Sequence, residues 1–137
     1  MAHNAGKQEN LRFDGVKFYA VHFDILGEPA ENTDINLDVT PKVFYHSETK
    51  FDIVYDVELM IPDVFKINIR SVGYFELSQE ILKNINIKKQ LINTNAPAIA
   101  FPYVRSFISS FTANLGTIPS LTIPTHFFQG ELEEFND

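Results

Sequence analysis

Four successive stretches of this chain alternate apolar and polar residues with a period of two, mostly across short turns. The clearest sets Phe51, Ile53, Tyr55, Val57, Leu59 and Ile61 against Asp52, Val54, Asp56, Glu58 and Met60. Side chains on a strand point alternately to opposite faces, so this stretch buries one face and leaves the other mostly wet. The next, after the Pro62-Asp63 turn, places Phe65, Ile67, Ile69, Ser71, Gly73 and Phe75 inside and Lys66, Asn68, Arg70 and Val72 outside. Upstream, Ile35 to Tyr45 alternates but is interrupted by Pro41, which cannot donate to a ladder and marks an edge or a bulge. The first stretch, Leu11 to Ile25, predicts a long strand bent near Gly15. It has Phe13, Gly15, Lys17, Tyr19, Val21, Phe23 and Ile25 on one face and Val16, Phe18, Ala20, His22 and Asp24 on the other. Four such strands in succession predict an antiparallel sheet.

The period changes after Ser78. Ile81, Leu82, Ile85, Leu91 and Ile92 fall roughly at helical spacing, predicting a helix over 79–93 that breaks at Asn93-Thr94-Asn95-Ala96-Pro97. A second helix starts with Pro102 in its first turn, carries the stripe Val104, Phe107, Ile108, Phe111 and Leu115, and stops at Gly116. Its other face, including Ser106, Ser109 and Ser110, is small and hydroxylic rather than charged, which suits a contact with a second subunit. Thr117 to Pro124 is expected to be extended, and His126 to Phe135 to form a short last helix. The fold class is α+β: a four-stranded antiparallel sheet with helices on one face. One domain over 11–135 follows a flexible segment at 1–10 and precedes a short acidic tail at 136–137.

Composition narrows the functions. A net charge of −7 argues against nucleic acid, whose phosphates want a basic face. Cysteine is absent, so disulfides, thiolate metal sites and a cysteine nucleophile are excluded. No apolar run approaches the ~18 residues a membrane helix needs. The polar start, Met1 to Asn10, does not read as a secretory signal. His22 and Asp24 share a strand face, but no third metal ligand is placed with them. No serine has a nucleophile-elbow context, and the scattered glycines form no phosphate loop. The reading therefore assigns no catalytic residue, no metal and no cofactor. Phe, by contrast, occurs 13 times, a surplus that suits either a Phe-rich core or an apolar groove.

Phe101-Pro102-Tyr103-Val104-Arg105, then Gly116-Thr117-Ile118-Pro119, Leu121-Thr122-Ile123-Pro124 and His126-Phe127, give a recognisable succession. It resembles the SecB export-chaperone family, whose corresponding region reads FPYAR, a helix, GTFP, an LxLAP-like stretch and a short last helix. The four strands and the Val72-Gly73-Tyr74-Phe75 step fall in the same order, so the resemblance runs from about Leu11 to Phe135. It implies a cytoplasmic, ATP-independent holdase without cofactor. Such a protein assembles as a homotetramer, a dimer of dimers, through the long helix. It binds unfolded polypeptides in apolar grooves, keeps preproteins competent for export and hands them to the SecA motor. Carried over by position, Val43, Tyr55, Phe65 and Tyr103 are groove-side residues, with plain core as the alternative for each. Asp24 matches one acidic position for docking the motor, whereas Ala20, Lys66 and Asn68 depart from that pattern. SecB-like proteins that hold the antitoxin of a toxin–antitoxin pair fit the same features. Two other classes stay open: a small-ligand binder or enzyme with a Phe-lined pocket offering His22, Tyr55 and Arg105, and a structural oligomer without a client.

Overall fold

The computed structural model describes residues 10–28, 34–116, 121–123 and 130–135. Strands β1 (Leu11–Ile25), β2 (Asn36–Tyr45), β3 (Lys50–Ile61) and β4 (Phe65–Leu77) are followed by a 3₁₀ turn (Gln79–Lys83) and α1 (Ile85–Gln90). A π turn (Leu91–Asn95), α2 (Ala96–Ala113) and the two-residue β5 (Glu133–Glu134) complete the order. The strands lie in the order β1-β4-β3-β2-β5. The four long strands pair antiparallel, as expected, while β5 runs parallel to β2 and makes the sheet mixed.

The alternation of β3 and β4 survives intact, and their inward residues meet in register: Phe51 opposite Phe75, Tyr55 opposite Ser71, Leu59 opposite Ile67. Tight turns hold the hairpins. Asp63 takes a φ of 63° and the Val64 amide donates to Ile61 O at 2.9 Å. In the β2–β3 turn the His46 amide donates to Lys50 O at 2.9 Å.

β1 differs from the simple alternation. It slips by one residue between Phe13 and Val16 and again between Phe18 and Ala20. Each bulge exchanges the two faces of the strand downstream of it. Val16 and Phe18 therefore join Leu11, Phe13 and Phe23 against the core, and Phe18 stacks on Phe107 with ring centroids 4.3 Å apart. Gly15, at a φ of 104°, supplies the backbone conformation of the first bulge.

α2 lies across the inner face, burying Ala96, Ala100, Phe101, Val104 and Ile108. The approach is close at Gly73, where a Cβ would stand 3.1 Å from Ala100 Cβ. The expected break at 93–97 is absent. The chain winds through the π turn straight into α2, and Pro97 occupies the first turn, where its missing N–H costs nothing. The buried Tyr55 hydroxyl donates to Pro97 O at 2.8 Å and ties that turn to β3. Pro102, expected to open the helix, lies inside it.

The segment 130–135 is extended rather than helical. Gly130 has a φ of 84°, and the Phe135 amide donates to Val43 O at 2.8 Å, so the open edge of β2 supplies partners that a short helix would have to find internally. The readings on 1–9, 29–33, 117–120, 124–129 and 136–137 lie outside the described residues.

Candidate functional site

The sheet has two faces of different character. α2 seals the inner one. The outer one holds the strand residues that alternate away from α2, together with Phe135.

Of the four residues assigned to a groove, Val43, Tyr55 and Phe65 are at most 1% exposed and belong to the core. They alternate inward on β2, β3 and β4, under α2 and the segment leading to it, so the single chain offers no groove built from them. Tyr103, on the flank of α2 that faces β1, is 49% exposed and packs against Phe13 at 5.3 Å. The hydroxylic face divides in the same way. Ser109 Oγ donates to Leu121 O at 2.9 Å, and Thr112 Oγ1 accepts from the Leu121 amide at 2.8 Å. Arg105 Nε donates to Ile123 O at 3.0 Å. Part of that face thus pins the chain's own extended segment, while Ser106 and Ser110 remain exposed. Asp24 is exposed on the outer face, paired in register with Lys66.

Two surfaces emerge that the sequence reading missed, one mainly apolar and one mixed. On the outer face a cleft of about 480 Å³ is walled by Tyr19, Phe44, Tyr74 and Phe135 over Val54 and Val72. The Tyr19 and Tyr74 hydroxyls hydrogen-bond to each other. Burial, together with that bond, pushes Tyr74 up to about 12. At the cleft's ends Asp52 Oδ2 meets His46 Nε2 at 2.8 Å, and Arg70 holds Asp56 at 2.7 Å while stacking on Phe135. The available signal was Phe44, Val54 and Val72, apolar residues at positions that alternate outward.

The second surface lies at the end of β2 that turns into β3. Tyr45, Ile85, Ile92 and Leu132 line a pocket of about 180 Å³ rimmed by Lys88, Lys89, Asn93 and Glu131. Tyr45 and Ile85 are 43% and 57% exposed. Desolvation, then Glu134 and Glu131, hold the Tyr45 hydroxyl above its ordinary range.

Among the described residues no group of three metal-ligating side chains occurs, and no helix is long and apolar enough to cross a membrane. What the arrangement can do is take apolar side chains out of water and pair backbone at a strand edge. β1 forms one edge of the sheet, with Tyr19, Val21 and Ile25 exposed along it.

No protein-family profile matches the chain. An uncharacterised protein of Methanocaldococcus jannaschii is 40% identical over 52 residues, which is 38% of this chain and 31% of that protein, so the match spans less than a third of the relative's length. The structure is similar to a SecB-like chaperone of Mycobacterium tuberculosis, solved in complex with a ChAD peptide from the HigA1 antitoxin. The TM-score is 0.68 at 16% identity, covering 90% of this chain and 96% of that one. A protein of unknown function from Streptococcus agalactiae aligns with a TM-score of 0.46 at 11% identity, over 84% of this chain and 97% of that one.

Proposed function

We propose, from a fold that is SecB-like, that this chain is a holding chaperone working without nucleotide: it binds extended apolar segments of non-native polypeptides and keeps them from aggregating. The observation that carries this reading is the surface left open beside the β2 edge, where Tyr45 and Ile85 stand exposed next to paired backbone. An extended client would bury its side chains there at roughly 25 cal/mol per Å² and add its backbone to the sheet. Several such surfaces on one oligomer would raise avidity with no single tight site.

A dedicated client is the better supported range. The similar structure from M. tuberculosis holds a peptide from an antitoxin, and this chain shares its fold over 90% of its length. General preprotein export with handover to SecA rests on the sequence resemblance alone. Asp24 is flanked by Lys66, Ala20 and Asn68, which depart from the acidic docking pattern, while Asp38, Asp56 and Glu58 gather beside them on the same face. The dimer-of-dimers assembly and a cytoplasmic location belong to the same proposal.

The test is to dilute a chemically denatured aggregation-prone protein into buffer with and without this chain, free of nucleotide, and follow turbidity. Suppression near stoichiometric ratios is expected. Aggregation at the control rate would refute the reading. Binding titrations with an antitoxin-derived peptide and with an unfolded preprotein then separate the two client ranges by relative affinity.

A further inference from the structure

The chain's own segment 131–135 lies along the β2 edge as a short parallel strand, with Glu133 and Glu134 in register with Lys42 and Val43. It is clasped from both faces of the sheet. On the inner side Leu132 packs against the core and its amide donates to Asn93 Oδ1 at 2.8 Å. On the outer side Phe135 meets Phe44 edge-on at 6.4 Å, with the Arg70 guanidinium 5.0 Å from its ring centre. Charge matches as well: Lys89 Nζ lies 3.4 Å from Glu131, and Lys88 rims the same pocket.

Among the described residues two are in register, a short hold whose anchors are two apolar side chains three positions apart. Those anchors describe a ligand. We infer that segment 131–135 is an internal stand-in for the client: it occupies the β2-edge site when no client is present and is displaced when one arrives. This deepens the chaperone reading and rests on it. The site takes an extended segment running parallel to β2, with apolar residues at n and n+3 and an acidic residue just before the first, as in Glu131, Leu132 and Phe135. Acidic residues before the first anchor would meet Lys88 and Lys89.

A disulfide across the strap tests this directly, because the chain has no cysteine of its own. Neighbouring strands stand about 4.8 Å apart, within the Cα range of a disulfide. Lys42→Cys/Glu133→Cys would lock the strap when oxidised and free it when reduced. The readout is the anisotropy of fluorescein-labelled, reduced and carboxymethylated α-lactalbumin, a permanently unfolded chain. Oxidation is expected to weaken binding at least about tenfold and reduction to restore it. Leu132→Ala/Phe135→Ala, which loosens the strap, is expected to tighten binding by a similar factor. Equal binding by the oxidised and reduced forms would overturn the stand-in and leave the chaperone reading in place. Failure of the reduced and wild-type proteins to bind any unfolded chain would overturn both. The redox comparison uses one folded protein, so it decides even if the double alanine variant folds poorly.

Discussion

At the scale of single residues, the core decides the consequences of change. Phe65 is 1% exposed, so Phe65→Asp places a carboxylate in an apolar interior. It is expected to abolish the cooperative thermal transition, a loss of fold visible by circular dichroism; a folded protein with selectively weakened client binding would show that Phe65 serves a groove after all. Tyr55 is fully buried and bonded to Pro97 O. Tyr55→Phe is expected to cost about 1–2 kcal/mol in urea unfolding. Ser71 is the counterexample: its hydroxyl is buried without a hydrogen-bond partner among the described residues. Ser71→Ala should therefore be neutral or stabilising by up to about 1 kcal/mol in the same experiment. Alkaline pH acts on the tyrosines. Tyr74 is pushed up to about 12, and burial holds Tyr55 above its ordinary range as well. A raised folded-state pKa leaves stability intact below the unfolded value, about 10, and removes it as pH rises further. Midpoint denaturant concentrations should accordingly fall between pH 10 and 12, and a flat profile there would contradict this assignment.

At the scale of elements, sequence pattern and structure agree where one physical period rules and part where two compete. β3 and β4 keep strict alternation because each is paired on both sides and has one face pressed by α2. β1 is an edge strand, free to bulge twice, and its inward set changes where it does. Gly15 hinted at a bend, but nothing in the residues marked the second slip beside Tyr19. The run 93–97 looked like a breaker by composition, yet the tie from Tyr55 holds it helical. Such a tie joins residues 42 positions apart, so local reading could not see it. The candidate site was less legible than the fold for the same reason. Tyr45, Ile85 and Leu132 lie on three segments far apart in sequence, and only the topology gathers them. The closeness of α2 to β4 gives an element-scale prediction. Gly73→Val forces a branched side chain where Ala100 already stands 3.1 Å from a Cβ. It should cost about 1–3 kcal/mol in urea unfolding, whereas Gly73→Ser at the same position should cost less.

At the scale of the whole molecule, the fold places one sealed layer behind a sheet whose β1 edge and outer face stay available. A SecB-like assembly would use the exposed side of α2, where Tyr103, Ser106 and Ser110 remain open, and Ser109 is already engaged with Leu121. The proposed four-chain assembly predicts that Ser110→Glu halves the solution mass, from four chains to two, by light scattering after size exclusion. An unchanged mass would place the contact elsewhere. The net charge of −7 suits a protein with exposed apolar surface, because mutual repulsion keeps copies apart. The most direct test of the central claim is the mass of the wild-type protein mixed with an unfolded polypeptide, without nucleotide, by the same method. A stable complex heavier than the protein alone is expected, and none with the same polypeptide in its native form. Separate elution of the two components at micromolar concentration would contradict it.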